Sequence, residues 1–219
     1  MLKNNLNLIN QTLSKHNSDA VIIAVCKKQP ISKVKEIVNL GISNLGVNYI
    51  NEFGDLKNEL ASSEINWHYI GSIQSNKLSK IVGHFDIIQS VSKLKTIEKI
   101  NLIAESLGII QKIFFQLNLS NEATKSGFSK LDYIEVIKKI NTYKNVHLCG
   151  LMTMPSLGDG AKYFKELFNM KKEFKDSGQS SVNHDIKYLS MGTSGDYEEA
   201  IQYGATHIRL GTVLMGPRS

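Results

Sequence analysis

Short apolar segments alternate with amphipathic segments along almost the whole chain. Eight apolar runs occur, at residues 20–27, 43–48, 65–71, 86–91, 112–119, 146–153, 186–192 and 206–213. Most are separated by stretches in which apolar residues recur every three or four positions, as from Leu94 to Leu107 and from Tyr163 to Phe174. This pattern predicts parallel strands that alternate with helices. One further helix, ahead of the first strand, is predicted by Leu2, Leu6, Ile9 and Leu13.

Eight strands in 219 residues favour a closed (β/α)8 TIM barrel over an open α/β sheet. An open dinucleotide-binding sheet would carry a glycine fingerprint after its first strand. Here the stretch from Cys26 to Pro30 occupies that turn and contains no glycine. The sequence has three prolines and no Ser/Gly-rich tract or charge block that would mark a linker. We therefore expect residues 1–219 to form a single barrel domain with an extra N-terminal helix.

The positive charge does not by itself indicate a nucleic-acid partner. The formal net charge is +6 and the pI is about 9.1, but only Arg209 and Arg218 among the 26 basic residues are arginines. The lysines recur at helical spacing between apolar residues, which is typical of solvated helix faces. No basic block interleaved with aromatic residues is present, so we expect no specific nucleic-acid binding.

The remaining composition points to a soluble protein of the cytoplasm. Cys26 and Cys149 lie in apolar runs, far apart and without metal-site spacing, which predicts reduced core cysteines. The N-terminus has no uninterrupted apolar segment of the kind that signal peptides carry. No apolar run approaches the 18 residues or so that a membrane span requires. We expect a cytoplasmic protein that does not bind membranes.

The side chains at the predicted strand ends define the candidate chemistry, because TIM-barrel active sites lie there. They provide one amine, one guanidinium and several amide and hydroxyl groups, but no second carboxylate and no His/Cys cluster. This set argues against a metal site or a glycosidase pair. The candidates are Lys27, Asn48, His68, Met152, Ser190 and Arg209.

Lys27 follows five consecutive apolar residues, Val21 to Val25, and Cys26. Because strand residues alternate between faces, Ile23, Val25 and Lys27 share one face. If that face lines the barrel interior, the Lys27 amine points into enclosed space. The alternative is a solvated loop lysine, which is the commoner environment for this residue type.

Two glycine-bearing turns end the seventh and eighth strands, in Ser190-Met-Gly-Thr-Ser-Gly-Asp196 and Arg209-Leu-Gly-Thr212. Backbone N–H groups in such turns bind phosphate, and these two loops form the usual phosphate site of TIM barrels. The alternative is that Gly192 and Gly211 only permit tight turns. Ser194 or Asp196 is positioned to cap the next helix.

A lysine and a phosphate site at one barrel mouth predict a phosphorylated carbonyl compound as the ligand. An amine in an apolar site is more easily deprotonated, and a free amine condenses with an aldehyde. Arg209 lies in an apolar strand, which is costly unless the guanidinium is paired or binds a ligand. Were the aldehyde pyridoxal phosphate, an arginine at the pyridine nitrogen would keep that nitrogen unprotonated and weaken the ring as an electron sink.

These residues also lie in motifs of a known family. Over nearly its whole length the chain resembles the pyridoxal-phosphate homeostasis proteins, the YggS-like or PLPBP family. The most specific of the matching segments are Trp67-His-Tyr-Ile-Gly-Ser-Ile-Gln-Ser-Asn-Lys77 and Leu189-Ser-Met-Gly-Thr-Ser-Gly-Asp196. The others are 24–30, 46–52, 125–127, 150–152 and 208–212.

The resemblance implies a TIM barrel of the alanine-racemase type, PLP fold type III, with pyridoxal 5′-phosphate bound as a Schiff base on Lys27. Asn48 would lie beside the ring and Arg209 would face the pyridine nitrogen. The phosphate would be held by Gly192, Thr193, Ser194, Gly211 and Thr212. The pocket would be completed by His68, Met152 and Ser190.

Three positions depart from the family pattern. Cys26 replaces the usual serine before the lysine, and its side chain should point away from the pocket. Val47 replaces a glutamate, which removes a carboxylate near the mouth. Gly195 stands where an acidic residue is common. The last two departures affect contacts at the rim of the pocket rather than Lys27.

The family resemblance implies a protein that handles the cofactor inside the cell, supplying or buffering it for apoenzymes that it contacts transiently, with no established catalysis. We expect a monomer. A racemase-like enzyme stays an alternative, with Tyr49 or His68 as the second base that racemisation requires. A second alternative is an aldolase-like barrel in which Lys27 reacts with a sugar phosphate. Lys125, in the polar loop after strand five, could accept the aldehyde during release; a solvated loop lysine is the alternative.

Overall fold

Eight parallel strands form a closed barrel in the computed structural model of the chain, which describes residues 1–122, 124–156 and 158–217. Each strand pairs with the next one along the chain, and the first pairs with the last through Val21 opposite His207 and Ile23 opposite Arg209. The predicted (β/α)8 barrel is confirmed. The strands are β1 (Val21–Val25), β2 (Asn44–Val47), β3 (Asn66–Tyr69), β4 (Ile87–Val91), β5 (Gln111–Leu117), β6 (Val146–Thr153), β7 (His184–Ser190) and β8 (His207–Leu210).

Helices surround the barrel. They are α1 (Leu2–Lys15), α2 (Ile31–Asn39), α3 (Ile50–Glu59), α4 (Leu94–Ser106), α5 (Lys130–Lys139), α6 (Gly160–Asp176), α7 (Tyr197–Gln202) and α8 (Thr212–Met215). Two 3-10 helices cover Ser75–Lys80 and Ile140–Thr142. The predicted N-terminal helix is present as α1, and its Asn5 donates a hydrogen bond of 3.0 Å to the carbonyl of Leu214. The helix that precedes the barrel therefore packs against the segment that follows β8.

The first strand shows how the apolar run places its side chains. Ile22, Ala24 and Cys26 belong to the apolar core between the strands and the helices. Ile23 is fully buried but lies outside that core. The alternation predicted for this strand is confirmed, because Ile23 and Ala24 point to opposite faces.

Both cysteines are buried and free. Cys26 lies in the core beneath the helices, whereas Cys149 packs with Phe114 and Met152 in a separate small cluster. Burial raises the pKa of each thiol to about 12, so both stay protonated at neutral pH. These are the inert core positions that the sequence predicts.

No helix in the described part of the chain is long and apolar enough to cross a membrane. Likewise, among the described residues no group of three or more His, Cys, Asp or Glu side chains is arranged to hold a metal ion.

Candidate functional site

A cavity of about 320 Å³ opens at the carboxyl ends of the strands. This volume lies at the lower end of the range found for small-molecule sites. Seven of the eleven residues predicted for the ligand site line it: Lys27, Asn48, Thr193, Ser194, Arg209, Gly211 and Thr212. The other lining residues are Val25, Ile70 and Met154.

The Lys27 amine lies at the mouth of the barrel, two residues beyond the end of β1. Its Nζ is 5.1 Å from the centre of the Tyr49 ring. Among residues 1–122, 124–156 and 158–217, no carboxylate forms an ion pair with this amine. Lys27 and Asn48 also line an adjoining cavity of about 210 Å³, which extends towards Lys77. The amine is thus accessible from two connected spaces.

Arg209 is the buried cation of the site, with 3% of its surface exposed. Its Nη1 donates to the Ser190 hydroxyl at 2.7 Å and its Nη2 to the Thr153 carbonyl at 2.9 Å. Burial lowers the pKa of Arg209 to about 10, opposed by the charge of Asp196, and the guanidinium stays cationic at neutral pH. No carboxylate in the described residues forms an ion pair with Arg209, so a positive charge faces the cavity with only neutral acceptors bound to it.

Backbone donors of the turn after β8 bind a side chain of the cavity wall. The Ser194 hydroxyl accepts hydrogen bonds from the N–H groups of Gly211 at 3.3 Å and Val213 at 3.2 Å. Gly211 has no left-handed backbone conformation, and a Cβ there would approach only Val25, at 3.8 Å. Gly211 nevertheless adopts φ −104° and ψ −94°, outside the usual α and β regions, so the tight-turn and phosphate-binding alternatives both stay open for it.

Gly192 differs from Gly211 in both respects. Its φ is +89°, and a Cβ there would lie 2.6 Å from the Cβ of Ala200 in α7. Gly192 is absent from the described wall of the cavity, and its carbonyl accepts the Arg209 backbone N–H at 3.0 Å. The tight-turn alternative applies to this glycine.

The two residues expected to cap the helix after β7 do not do so. The Asp196 carboxylate turns back and accepts from the Thr193 backbone N–H at 2.6 Å and from its hydroxyl at 2.9 Å. The Ser194 hydroxyl is bound to the turn after β8 instead. Neither side chain caps α7. Both side chains instead fix the two turns that border the cavity.

His68 and Met152 do not reach the cavity wall. Met152 is fully buried with Phe114 and Cys149, and the lining residue is Met154, two positions further along. In β3 the lining residue is Ile70, again two positions beyond His68. Since strand side chains alternate, the predicted residues share the correct face but lie about 7 Å deeper. The prediction that these two side chains line the pocket is corrected accordingly.

His68 and Ser190 instead contact the polar groups beneath the cavity. The Ser190 hydroxyl binds Arg209 directly. His68 is 1% exposed, and its two ring nitrogens bind Asn44 at 3.0 Å and Gln89 at 2.9 Å. Gln89 was not predicted for the site, although a glutamine inside the apolar strand from Ile87 to Val91 is itself a signal of a buried polar contact.

Lys125 does not line either of the two cavities that contain Lys27. Its Nζ is 2.7 Å from Glu122 Oε1 and 2.6 Å from the Ser156 hydroxyl. The hydrogen bond from Lys125 lowers the pKa of the Glu122 carboxyl to about 2, so this carboxylate is ionised at neutral pH. To accept an aldehyde, this amine would first have to leave Glu122. The release role suggested for Lys125 stays a prediction.

Acid should destabilise the protein through three buried histidines. Burial lowers the pKa of His68 to about 3 and those of His184 and His207 to about 4, from a usual value near 6.5. Below about pH 6.5 the unfolded chain therefore binds protons that the folded protein does not. We expect the free energy of unfolding to fall between pH 6.5 and 4, by at most about 1.4 kcal/mol per pH unit for each histidine.

Urea unfolding at a series of pH values, followed by circular dichroism, measures this slope. The variant His184→Gln removes one of the three titrating rings and should make the slope shallower. A free energy of unfolding that stays constant between pH 6.5 and 4.5 would contradict the proposal that these rings are neutral when folded.

The whole chain is similar to known proteins. A sequence profile described as the alanine racemase N-terminal domain matches residues 1–219. The pyridoxal phosphate homeostasis protein of Synechocystis sp. is 38% identical over 90% of this chain and 91% of its own length. The pyridoxal phosphate homeostasis protein of Haemophilus influenzae is 30% identical over 100% of this chain and 96% of its own length.

Solved structures give the same result for the fold. PipY of Synechococcus elongatus, solved with PLP bound, has a TM-score of 0.85 and 30% identity, covering 99% of this chain and 100% of its own. The same protein without PLP has a TM-score of 0.90. Alanine racemase of Clostridium difficile matches at a TM-score of 0.75 and 20% identity, with 97% of this chain covering 56% of the enzyme, and shows a shared fold alone.

Proposed function

Because this chain belongs to the pyridoxal phosphate homeostasis protein family, we propose that it binds pyridoxal 5′-phosphate covalently on Lys27 and supplies or buffers the cofactor in the cytoplasm. It acts as a single-domain monomer, contacts recipient apoenzymes transiently and has no catalytic turnover of its own. The observation that carries this proposal is that Lys27, Arg209 and the Gly211 turn line one cavity.

The residues present fit this cofactor group by group. The Gly211 and Val213 N–H groups, now bound to Ser194, are donors of the kind that hold phosphate, with Thr193 and Thr212 beside them. Arg209 offers a permanent cation for the pyridine nitrogen. The Asn48 Oδ1 is buried and has no hydrogen-bond partner among the described residues, so a ligand donor would satisfy it.

The bound cofactor supplies an aldehyde, with which a lysine amine condenses with loss of one water. Lys27 provides that amine, and no carboxylate among the described residues forms an ion pair with it. Arg209 would orient the ring and, as a cation with neutral partners, would disfavour a proton on a ring nitrogen beside it. A ring that is not protonated there is a poor electron sink, which suits storage of the cofactor more than catalysis.

A racemase-like activity is the second candidate function, and of the two residues considered as its second base only one stays available. Racemisation needs a second base, for which Tyr49 and His68 were both considered. His68 is buried, and both of its ring nitrogens are engaged, so it cannot serve. Tyr49 is 42% exposed with its ring near the Lys27 amine, so it stays as the candidate base.

Trapping followed by transfer tests the proposed function. Protein loaded with pyridoxal phosphate should absorb visible light, lose that band on treatment with borohydride, and yield a labelled peptide that contains Lys27. Unreduced protein should restore activity to an apoenzyme, and reduced protein should not. A label on a different lysine, or sustained production of D-amino acids above the rate of the free cofactor, would contradict the proposal.

A further inference from the structure

Beneath the cavity, a line of hydrogen-bonded side chains crosses the barrel interior from β8 to β2. Arg209 Nη1 lies 2.7 Å from the Ser190 hydroxyl, which lies 2.6 Å from Gln89 Oε1. Gln89 Nε2 lies 2.9 Å from His68 Nδ1, and His68 Nε2 lies 3.0 Å from Asn44 Oδ1. The first four of these residues are at most 3% exposed. We call these five residues the polar column.

The donors in the polar column all point the same way. Arginine only donates, so the Ser190 oxygen accepts from Arg209 and its own proton goes to Gln89 Oε1. The 2.6 Å distance between Ser190 and Gln89 is typical of an O–H···O bond and short for N–H···O. The Gln89 amide therefore turns its NH2 towards His68. His68 Nδ1 must accept that bond, which places the ring proton on Nε2, facing Asn44 Oδ1.

This order depends on a neutral His68. If the ring were protonated, Nδ1 would donate and the Gln89 amide would have to rotate, turning its NH2 towards Ser190. The serine hydroxyl would then lose its acceptor beside the guanidinium. Burial and the nearby His207 keep the pKa of His68 near 3, so the neutral form holds throughout the physiological range.

We propose that Gln89 and His68 are positioning residues for Arg209: they fix the Ser190 oxygen as an acceptor for the guanidinium and so fix the charge that faces the cavity. Neither touches the cavity, so each acts through Ser190. This inference rests on the proposed function, in which Arg209 meets the cofactor ring. All partners in the column are neutral, so the arginine is held in place without loss of its charge.

The test compares two buried glutamines. Gln89→Leu breaks the column. Gln111→Leu is the matched control, because Gln111 is also buried but binds the Gly83 N–H at 2.9 Å and the Phe85 carbonyl at 3.0 Å, outside the column. Both variants lose buried hydrogen bonds and should be destabilised alike. Only Gln89→Leu should weaken the binding of 4′-deoxypyridoxine phosphate, by about tenfold, because this analogue has no aldehyde and reports non-covalent contacts.

A spectroscopic measurement separates positioning from general loosening. With pyridoxal phosphate bound, the absorption maximum and the pH at which it changes should shift in Gln89→Leu and remain unchanged in Gln111→Leu. Gln89→Glu keeps a side-chain oxygen that accepts from the Ser190 hydroxyl and adds a carboxylate charge behind it. This variant should therefore also shift that pH. Equal effects of Gln89→Leu and Gln111→Leu, or no effect of Gln89→Leu in a folded protein, would overturn the proposal.

The column can also be tested without any cofactor. Nitrogen-15 NMR of the histidine rings in the unmodified protein should show His68 singly protonated on Nε2 from pH 6 to 8. A proton on Nδ1 would overturn the assigned order even if Gln89→Leu fails to fold. By contrast, failure of the unmodified protein to bind pyridoxal phosphate would overturn the proposed function and leave the NMR result intact.

Discussion

Replacing Lys27 with alanine should abolish covalent attachment of pyridoxal phosphate, so that borohydride leaves no label on the protein and the visible band is lost. The described residues offer no other amine in the wall of the 320 Å³ cavity besides this one, Arg209 being a guanidinium. The free energy of unfolding should change little, because the amine contacts the Tyr49 ring at 5.1 Å, and such an exposed cation–π contact contributes about 0.5–1 kcal/mol.

Lys28→Ala is the matched control, since it removes the same charge one residue further on. Lys28 is exposed and is not among the residues that line the two cavities containing Lys27. This variant should keep the label, the visible band and transfer to an apoenzyme. Labelling of Lys27→Ala to the wild-type extent, or loss of the label in Lys28→Ala alone, would show that the attachment site has been assigned to the wrong lysine.

Gly71→Ala should destabilise the protein by about 3 kcal/mol and weaken cofactor binding, because a Cβ at this position would lie 1.9 Å from the backbone oxygen of Asn48. Backbone cannot move aside as a flexible side chain does. The Gly71 carbonyl is also held, at 2.6 Å, by the Ser90 hydroxyl of β4. To avoid this clash, the backbone at Asn48 would have to move, and Asn48 lines the cavity. Urea unfolding and cofactor titration measure the two effects.

Gly54→Ala is the same substitution with the opposite expected sign. Gly54 lies within α3, is exposed, and has no atom within 4 Å of the position of a Cβ. Alanine favours a helix over glycine, so this variant should be more stable by about 0.5–1 kcal/mol, with cofactor binding unchanged. A Gly71→Ala protein as stable as the wild type would contradict the close approach of Gly71, two residues after β3, to the Asn48 backbone.

The face of each strand could be predicted from the sequence, but the depth of each side chain in the barrel could not. Period-two alternation correctly assigned the interior face in β1, and it put His68 and Met152 on the same faces as Ile70 and Met154. Alternation repeats every two residues, so it cannot distinguish one layer from the next. That distinction depends on where each strand stops relative to its neighbours, for instance in β6, which runs on to Thr153.

Contacts between residues far apart along the chain could not be predicted from the sequence, for a different reason. Ser190 binds Gln89 across 101 positions, and no local pattern records such a pair. Local turn chemistry was equally ambiguous, since Gly192 and Gly211 occupy similar motifs and yet only Gly192 has a positive φ. Lys27 and Arg209, which both line the cavity, could be selected as candidates because a charged residue in or at the end of an apolar strand stands out without knowledge of its partners.

The pairing of β1 with β8 joins the first strand to be translated to the last one. Lys27 leaves the ribosome early, whereas the Gly211 turn and Arg209 are translated much later, at about 5–20 residues per second. A nascent chain thus carries the Lys27 amine long before it carries the Gly211 turn and Arg209. Because β1 pairs with β8, a ligand held at both strands would stabilise only a chain whose last strand has been made. We therefore expect ligand binding at this site only after all eight strands have been translated.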